Sequence, residues 1–74
     1  MTKLPRNIKA KQLIIILKKL GFSESGKRGS HVRLSHTDGR WTQVAVHAKP
    51  IPAGTLRAVL RQTKLSIEQI QRYI

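Results

Sequence analysis

His31-Val32-Arg33-Leu34-Ser35-His36-Thr37-Asp38-Gly39-Arg40-Trp41-Thr42-Gln43-Val44-Ala45-Val46 decides the fold. Its two ends alternate apolar and polar residues with period two, the mark of half-buried strands, around an Asp-Gly turn signal. The loop length follows from the pairing. A two-residue Asp38-Gly39 turn would set Leu34 against Gln43 and Val32 against Ala45, mixing apolar and polar residues on one face. A three-residue Thr37-Asp38-Gly39 loop with Gly39 left-handed sets Leu34 against Thr42 and Val32 against Val44, which gives one clean core face. The other face then carries His31 opposite Ala45, Arg33 opposite Gln43 and Ser35 opposite Trp41, with His47 just beyond.

Outward from this hairpin, Ser23 to Arg28 reads as an edge strand loosened by Gly26 and followed by Gly29. Before it, Lys9 to Leu20 reads as an amphipathic helix. Ala10, Leu13, Leu17 and Leu20 share one face, and Gly21 is the expected stop. Ile15 points outward among lysines, either shielded by their stems or marking an interface. After the hairpin, Ala48 to Ala53 holds Pro50 and Pro52 and reads as an extended loop. Thr55 is expected to cap a second helix over Leu56 to Thr63. Ser66 and Gln69 form a capping box for a short last helix, with Leu65 and Ile70 as its hydrophobic staple. The economical arrangement is α+β: α-β-β-β-α with a three-stranded antiparallel sheet covered on one face, plus a short C-terminal helix.

The chain has 74 residues, with 15 Lys and Arg against 3 Asp and Glu, a net charge of +12. That length implies one domain over 1–74, burying only ~60% of the surface its unfolded chain exposes. The charge points to a polyanion, with nucleic acid ahead of an acidic protein and of an anionic membrane. There is no cysteine, which excludes disulfides, thiolate metal sites and a Cys nucleophile. Glu24, Asp38 and Glu68 are too scattered for the carboxylate cluster of Mg²⁺-dependent nucleases. The longest apolar run, Leu13 to Leu17, is far short of a membrane span and of a signal-peptide core. The expectation is a complete cytoplasmic protein with no membrane partner and no cofactor.

Histidine is therefore the proton carrier near neutral pH. Strand parity puts His36 on the face opposite His31 and His47, which argues against a zinc site made of all three. Ser35 has no acid placed to complete a triad and reads as a surface serine. His31 follows Lys27-Arg28-Gly29-Ser30, where Gly29 leaves the backbone open and Lys27, Arg28 and Arg33 can hold a phosphate. An imidazole there can deprotonate an RNA 2′-hydroxyl. An exposed histidine without chemistry fits the same residues.

Gly29-Ser30-His31, Asp38-Gly39-Arg40 and Val44-Ala45-Val46-His47 resemble the HicA toxins. So do Leu17-Lys18-Lys19-Leu20-Gly21-Phe22, Gly54 to Leu60, and Leu65-Ser66-Ile67-Glu68, in that order and spacing from residue 9 to 74. The resemblance implies a fold similar to double-stranded-RNA-binding domains. It also implies the toxin of a type II toxin–antitoxin pair, a metal-independent endoribonuclease that cuts mRNA and is neutralised by a HicB antitoxin. The catalytic histidine of the pattern maps onto His31, with Gly29, Ser30 and His47 in support; His47, a lysine or water would serve as proton donor. Three departures stand out. Ala45 replaces a frequent proline, and Lys64 replaces a helix-ending glycine. Trp41 takes a position usually basic or β-branched, where it would stack on an RNA base or pack against the antitoxin. Two other readings compete: a double-stranded-RNA-binding module without chemistry, and a basic subunit whose only partner is an acidic protein.

Overall fold

Apolar residues three and four apart between positions 10 and 20 form a stripe that is buried only if the segment is helical. In the computed structural model, which describes residues 3–74, this segment is α1 (Ala10–Lys19), burying Ala10, Leu13, Ile16 and Leu17. Ile15 remains 55% exposed on the outer side. The helix closes with a Schellman motif: Phe22 N–H donates to the Leu17 carbonyl at 3.0 Å and Gly21 N–H to that of Lys18 at 3.2 Å. Gly21 has φ +99°, a conformation that favours glycine.

Three antiparallel strands follow, β1 (Ser23–Arg28), β2 (His31–Ser35) and β3 (Trp41–Ala45), in the order β1-β2-β3. The hairpin register is the one with the three-residue loop: Val32 faces Val44, Leu34 faces Thr42 and Ser35 faces Trp41. Gly39 is left-handed at φ +98°. Val32, Leu34, Thr42 and Val44 are buried. A one-residue slip would bring them to solvent, at about 1.5–3 kcal/mol for each of the three aliphatic side chains. The edge strand β1 is exposed throughout. It carries a bulge between Glu24 and Gly26, where the hydroxyls of Ser25 and Ser35 lie 2.6 Å apart.

The second helix begins earlier than the sequence reading placed it. α2 spans Ala53–Thr63, its N-cap is Pro52, and no side chain caps it; Thr55 lies inside the first turn. Pro52 needs no hydrogen-bond partner for its nitrogen, and its carbonyl accepts the Leu56 N–H at 3.0 Å, so the chain turns helical at once. Leu56, Val59, Leu60 and Thr63 face inward. Lys64 ends the helix at φ 57°, doing without the glycine that suits that conformation. The short α3 (Ile67–Gln71) has the full capping box: Gln69 N–H donates to Ser66 Oγ at 3.1 Å and Ser66 N–H to Gln69 Oε1 at 2.8 Å. The helices supply most of the core around the buried sheet face. The other face keeps His31, Arg33, Trp41 and Gln43 exposed.

Candidate nucleic-acid interface

His31 opens the central strand, with Arg28 opposite it on β1 and Ala45 opposite it on β3. The turn that delivers it is two residues long, and Gly29 takes φ +59°, as the first residue of a tight hairpin turn requires. A side chain at Gly29 would meet nothing within 4 Å, so the surface beside His31 is open to close approach. The Ser30 carbonyl accepts the Val46 N–H at 2.7 Å. That bond ties the turn to the end of β3 and fixes where the His31 backbone starts.

His31, Lys27, Arg28 and Arg33 line one concavity of about 150 Å³, together with Gly26 and Gln43. Four of the sequence-selected residues thus meet, and among the described residues no carboxylate lines the hollow. Alternation puts Arg28 on the same side as His31, whereas Lys27, opposite Val32, reaches the rim from the sheet edge. Arg33 also lies over the Trp41 ring, its Cζ 4.2 Å from the centroid. A guanidinium held over an aromatic ring can still direct N–H groups to an anion, so the two contacts are compatible in one arginine. Trp41 itself is 46% exposed.

His47 goes elsewhere. β3 ends at Ala45, and His47 lines a separate concavity of about 390 Å³ with Lys9, Lys11, Val46 and Ala48. Strand parity, which grouped it with His31, carries no force once the strand has ended. His36 lies off the open face, on the side where strand parity placed it: its ring packs edge-on against Phe22 with centroids 5.2 Å apart. Among the described residues no three His, Asp or Glu side chains gather in a group able to hold a metal ion.

The family comparison bears on this surface. Residues 10–65 match the model of the HicA toxin of bacterial toxin–antitoxin systems. The protein belongs to the HicA toxin family. The match takes in all of α1, the sheet and α2, including every residue of the His31 concavity. The chain is thus the toxin of a toxin–antitoxin system, and a cognate antitoxin is its partner. No curated protein matches the sequence. No helix of the described residues is long and apolar enough to cross a membrane.

Two residues of this HicA surface escaped sequence reasoning. Gln62 reaches the open side from α2 and accepts the Thr42 hydroxyl proton on Oε1 at 2.7 Å. Nothing in the sequence distinguishes it from the other polar residues of that helix face. Arg40, known only as part of a turn motif, spans from Asp38 to the end of α2. Its carboxylate partner is held below the ordinary carboxyl range, first by the Arg40 backbone N–H and then by the Arg40 guanidinium.

Proposed function

We propose that this HicA toxin is a metal-independent endoribonuclease that cuts mRNA in the cytoplasm, with His31 as general base, and that a HicB-like antitoxin neutralises it by covering the same face. The observation that carries the reading is the meeting of His31 with Lys27, Arg28 and Arg33 in one carboxylate-free hollow. The RNA phosphate sits among the three cations, which stabilise the charge that builds on its oxygens. His31 takes the proton of the neighbouring 2′-hydroxyl, and the 2′-oxygen forms its bond to phosphorus. The bond from phosphorus to the 5′-oxygen breaks, and that oxygen takes up a proton from water. The products are a 2′,3′-cyclic phosphate and a 5′-hydroxyl end. His47 lines a different hollow, among Lys9 and Lys11, and its part is a supporting one. Gly29 and Ser30 support the reaction through the turn that sets His31.

The test is cleavage of RNA in EDTA by the wild-type chain and by His31→Ala. General-base catalysis is worth about 10²–10⁴-fold, and a loss of that size in the variant is the expected result. Unchanged cleavage by His31→Ala overturns the assignment. Tight binding by the wild-type chain with the RNA left intact reduces the protein to a binding module.

A further inference from the structure

Three concavities on the open side of the sheet share walls. The His31 hollow shares His31 and Gln43 with a groove of about 410 Å³ between β3 and α2. Ala45, Ala58 and Val59 give that groove an apolar lining, and its volume is in the range of small-ligand clefts. The groove in turn shares Trp41 and Gln62 with a third concavity of about 480 Å³ that ends at Arg40 and Lys64. A row of adjoining concavities therefore runs from Arg28, past His31 and Trp41, to Lys64. Cations stand at both ends and an aromatic ring stands between them. Asp38, the one carboxylate among the described residues lining these concavities, is already bonded to Arg40.

Two details say what the middle of the row accepts. Arg33 lies over the Trp41 ring and is not among the residues lining the two grooves that Trp41 borders; with Trp41 46% exposed, ring surface remains for a flat ligand. Gln62 is oriented from below. The buried Thr42 hydroxyl donates to its Oε1, so its Nε2 turns outward as a donor with no partner among the described residues.

We propose that this row is a single-stranded RNA track, in which the nucleotide beside the cleaved phosphate stacks its base on Trp41 and accepts a hydrogen bond from Gln62 Nε2. The proposal rests on the ribonuclease reading for its ligand and adds to it a base-reading site. Single-stranded RNA is the occupant because it brings phosphates to both cationic ends and a free base face and edge to the centre. A duplex hides those edges. Trp41 supplies affinity for any base, since every base has a flat face. Gln62, a donor held in one orientation, discriminates among base edges.

The experiment uses the His31→Ala chain, which on the ribonuclease reading leaves RNA uncut, and short oligoribonucleotides of each single base. Trp41 is the only tryptophan, so its fluorescence reports events at this one ring. The expected result is quenching that saturates with binding. Adding Trp41→Ala, followed by gel shift, weakens every oligonucleotide by about tenfold or more. Adding Gln62→Glu keeps an acceptor for Thr42 but replaces the outward donor, so the order of preference among the four bases changes. A uniform weakening by Gln62→Glu is a bare charge effect and overturns the base-reading role. Saturating RNA that leaves Trp41 fluorescence unchanged, while the antitoxin quenches it, makes the groove a protein-docking surface and overturns the track. Failure of the ribonuclease reading looks different: RNA binds and quenches Trp41, but the wild-type chain leaves it uncut. Full-rate cleavage by Trp41→Ala with unaltered base preference sinks the track and spares the ribonuclease.

Discussion

Arg40 Nη1 donates to the Thr63 carbonyl oxygen at 2.6 Å, joining the tip of the β2–β3 hairpin to the last turn of α2. Terminal helix carbonyls lack partners within their own helix, and this one finds its partner in a residue 23 positions away. The same guanidinium bonds Asp38 Oδ2 through Nε at 2.8 Å and lies 5.1 Å from the Phe22 ring centroid. Hairpin, helix end and core aromatic are thus held by one side chain.

Arg40→Ala removes all three contacts at once. Hydrogen bonds to charged groups contribute about 1.5–3 kcal/mol, and in a domain of this size each kcal/mol shifts Tm by roughly 4–8 °C. A fall in Tm on the order of 10 °C is expected by circular dichroism. Arg40→Lys recovers only part of it, because an ammonium cannot bond Asp38 and Thr63 together with the geometry of a fork. Equal melting of all three proteins would show that the bridge contributes nothing.

Asp38 sets the pH dependence of this corner. Its folded-state pKa is depressed, chiefly by the Arg40 backbone N–H and then by the Arg40 side chain. A depressed carboxyl adds stability at pH values above its unfolded pKa and loses it as pH falls through the folded one. The loss therefore belongs below about pH 4. Asp38 is exposed, so the effect is modest and screened by salt. Asp38→Asn should lower the urea midpoint at pH 7, and the gap to wild type should narrow at pH 3. A gap that stays constant over that range contradicts the linkage.

Much of this corner was legible in the sequence, and the part that was not has a physical reason. Side-chain parity and one glycine sufficed for the hairpin register, because a slip would expose Val32, Leu34 and Val44 together. Gly21 and the Ser66–Gln69 pair gave helix ends for equally local reasons. The start of α2 was hidden, since Pro52 caps by fixed φ rather than by a side-chain oxygen and Thr55 offered a competing signal. Lys27, Arg28, His31 and Arg33 lie on one hairpin, so their meeting followed from strand pairing. Gln62 joins the surface only through the packing of α2 along β3, and His47 leaves it only because β3 stops at Ala45. Both depend on long-range geometry that no local pattern encodes.

Gly21 and Gly39 offer a controlled comparison. Both have nearly the same positive φ, +99° and +98°, so alanine meets a similar backbone penalty of about 1–2 kcal/mol at either site. They differ in space. A Cβ at Gly21 would lie 2.8 Å from His36 Nε2, whereas at Gly39 nothing stands within 4 Å. His36 cannot simply swing away, for its ring packs on Phe22 and its Nδ1 accepts the Asp38 N–H at 3.2 Å. Gly21→Ala should therefore be the more damaging in chemical denaturation. In the His36→Ala background its cost should fall toward that of Gly39→Ala. Equal costs in the wild-type background would refute the steric argument.

Lys64 tests the proposed track against stability. At φ 57° and ψ 29° it holds a left-handed helix end that glycine adopts without strain, so Lys64→Gly should raise stability by up to about 1 kcal/mol. The same residue lines the far end of the proposed RNA track, beside Trp41 and Gln62. On that proposal, losing its charge removes one phosphate contact. For single-stranded RNA each contact contributes about 0.7 to the slope of log affinity against log salt. The variant is thus expected to melt higher, bind oligoribonucleotides more weakly at low salt, and show a salt slope shallower by about that amount. Lys64→Asn separates the two effects, since asparagine tolerates the left-handed conformation but carries no charge. It should match the glycine variant in binding while gaining less in stability. Should both variants bind RNA with the wild-type salt slope, Lys64 would not be touching phosphate and the track would end at Trp41.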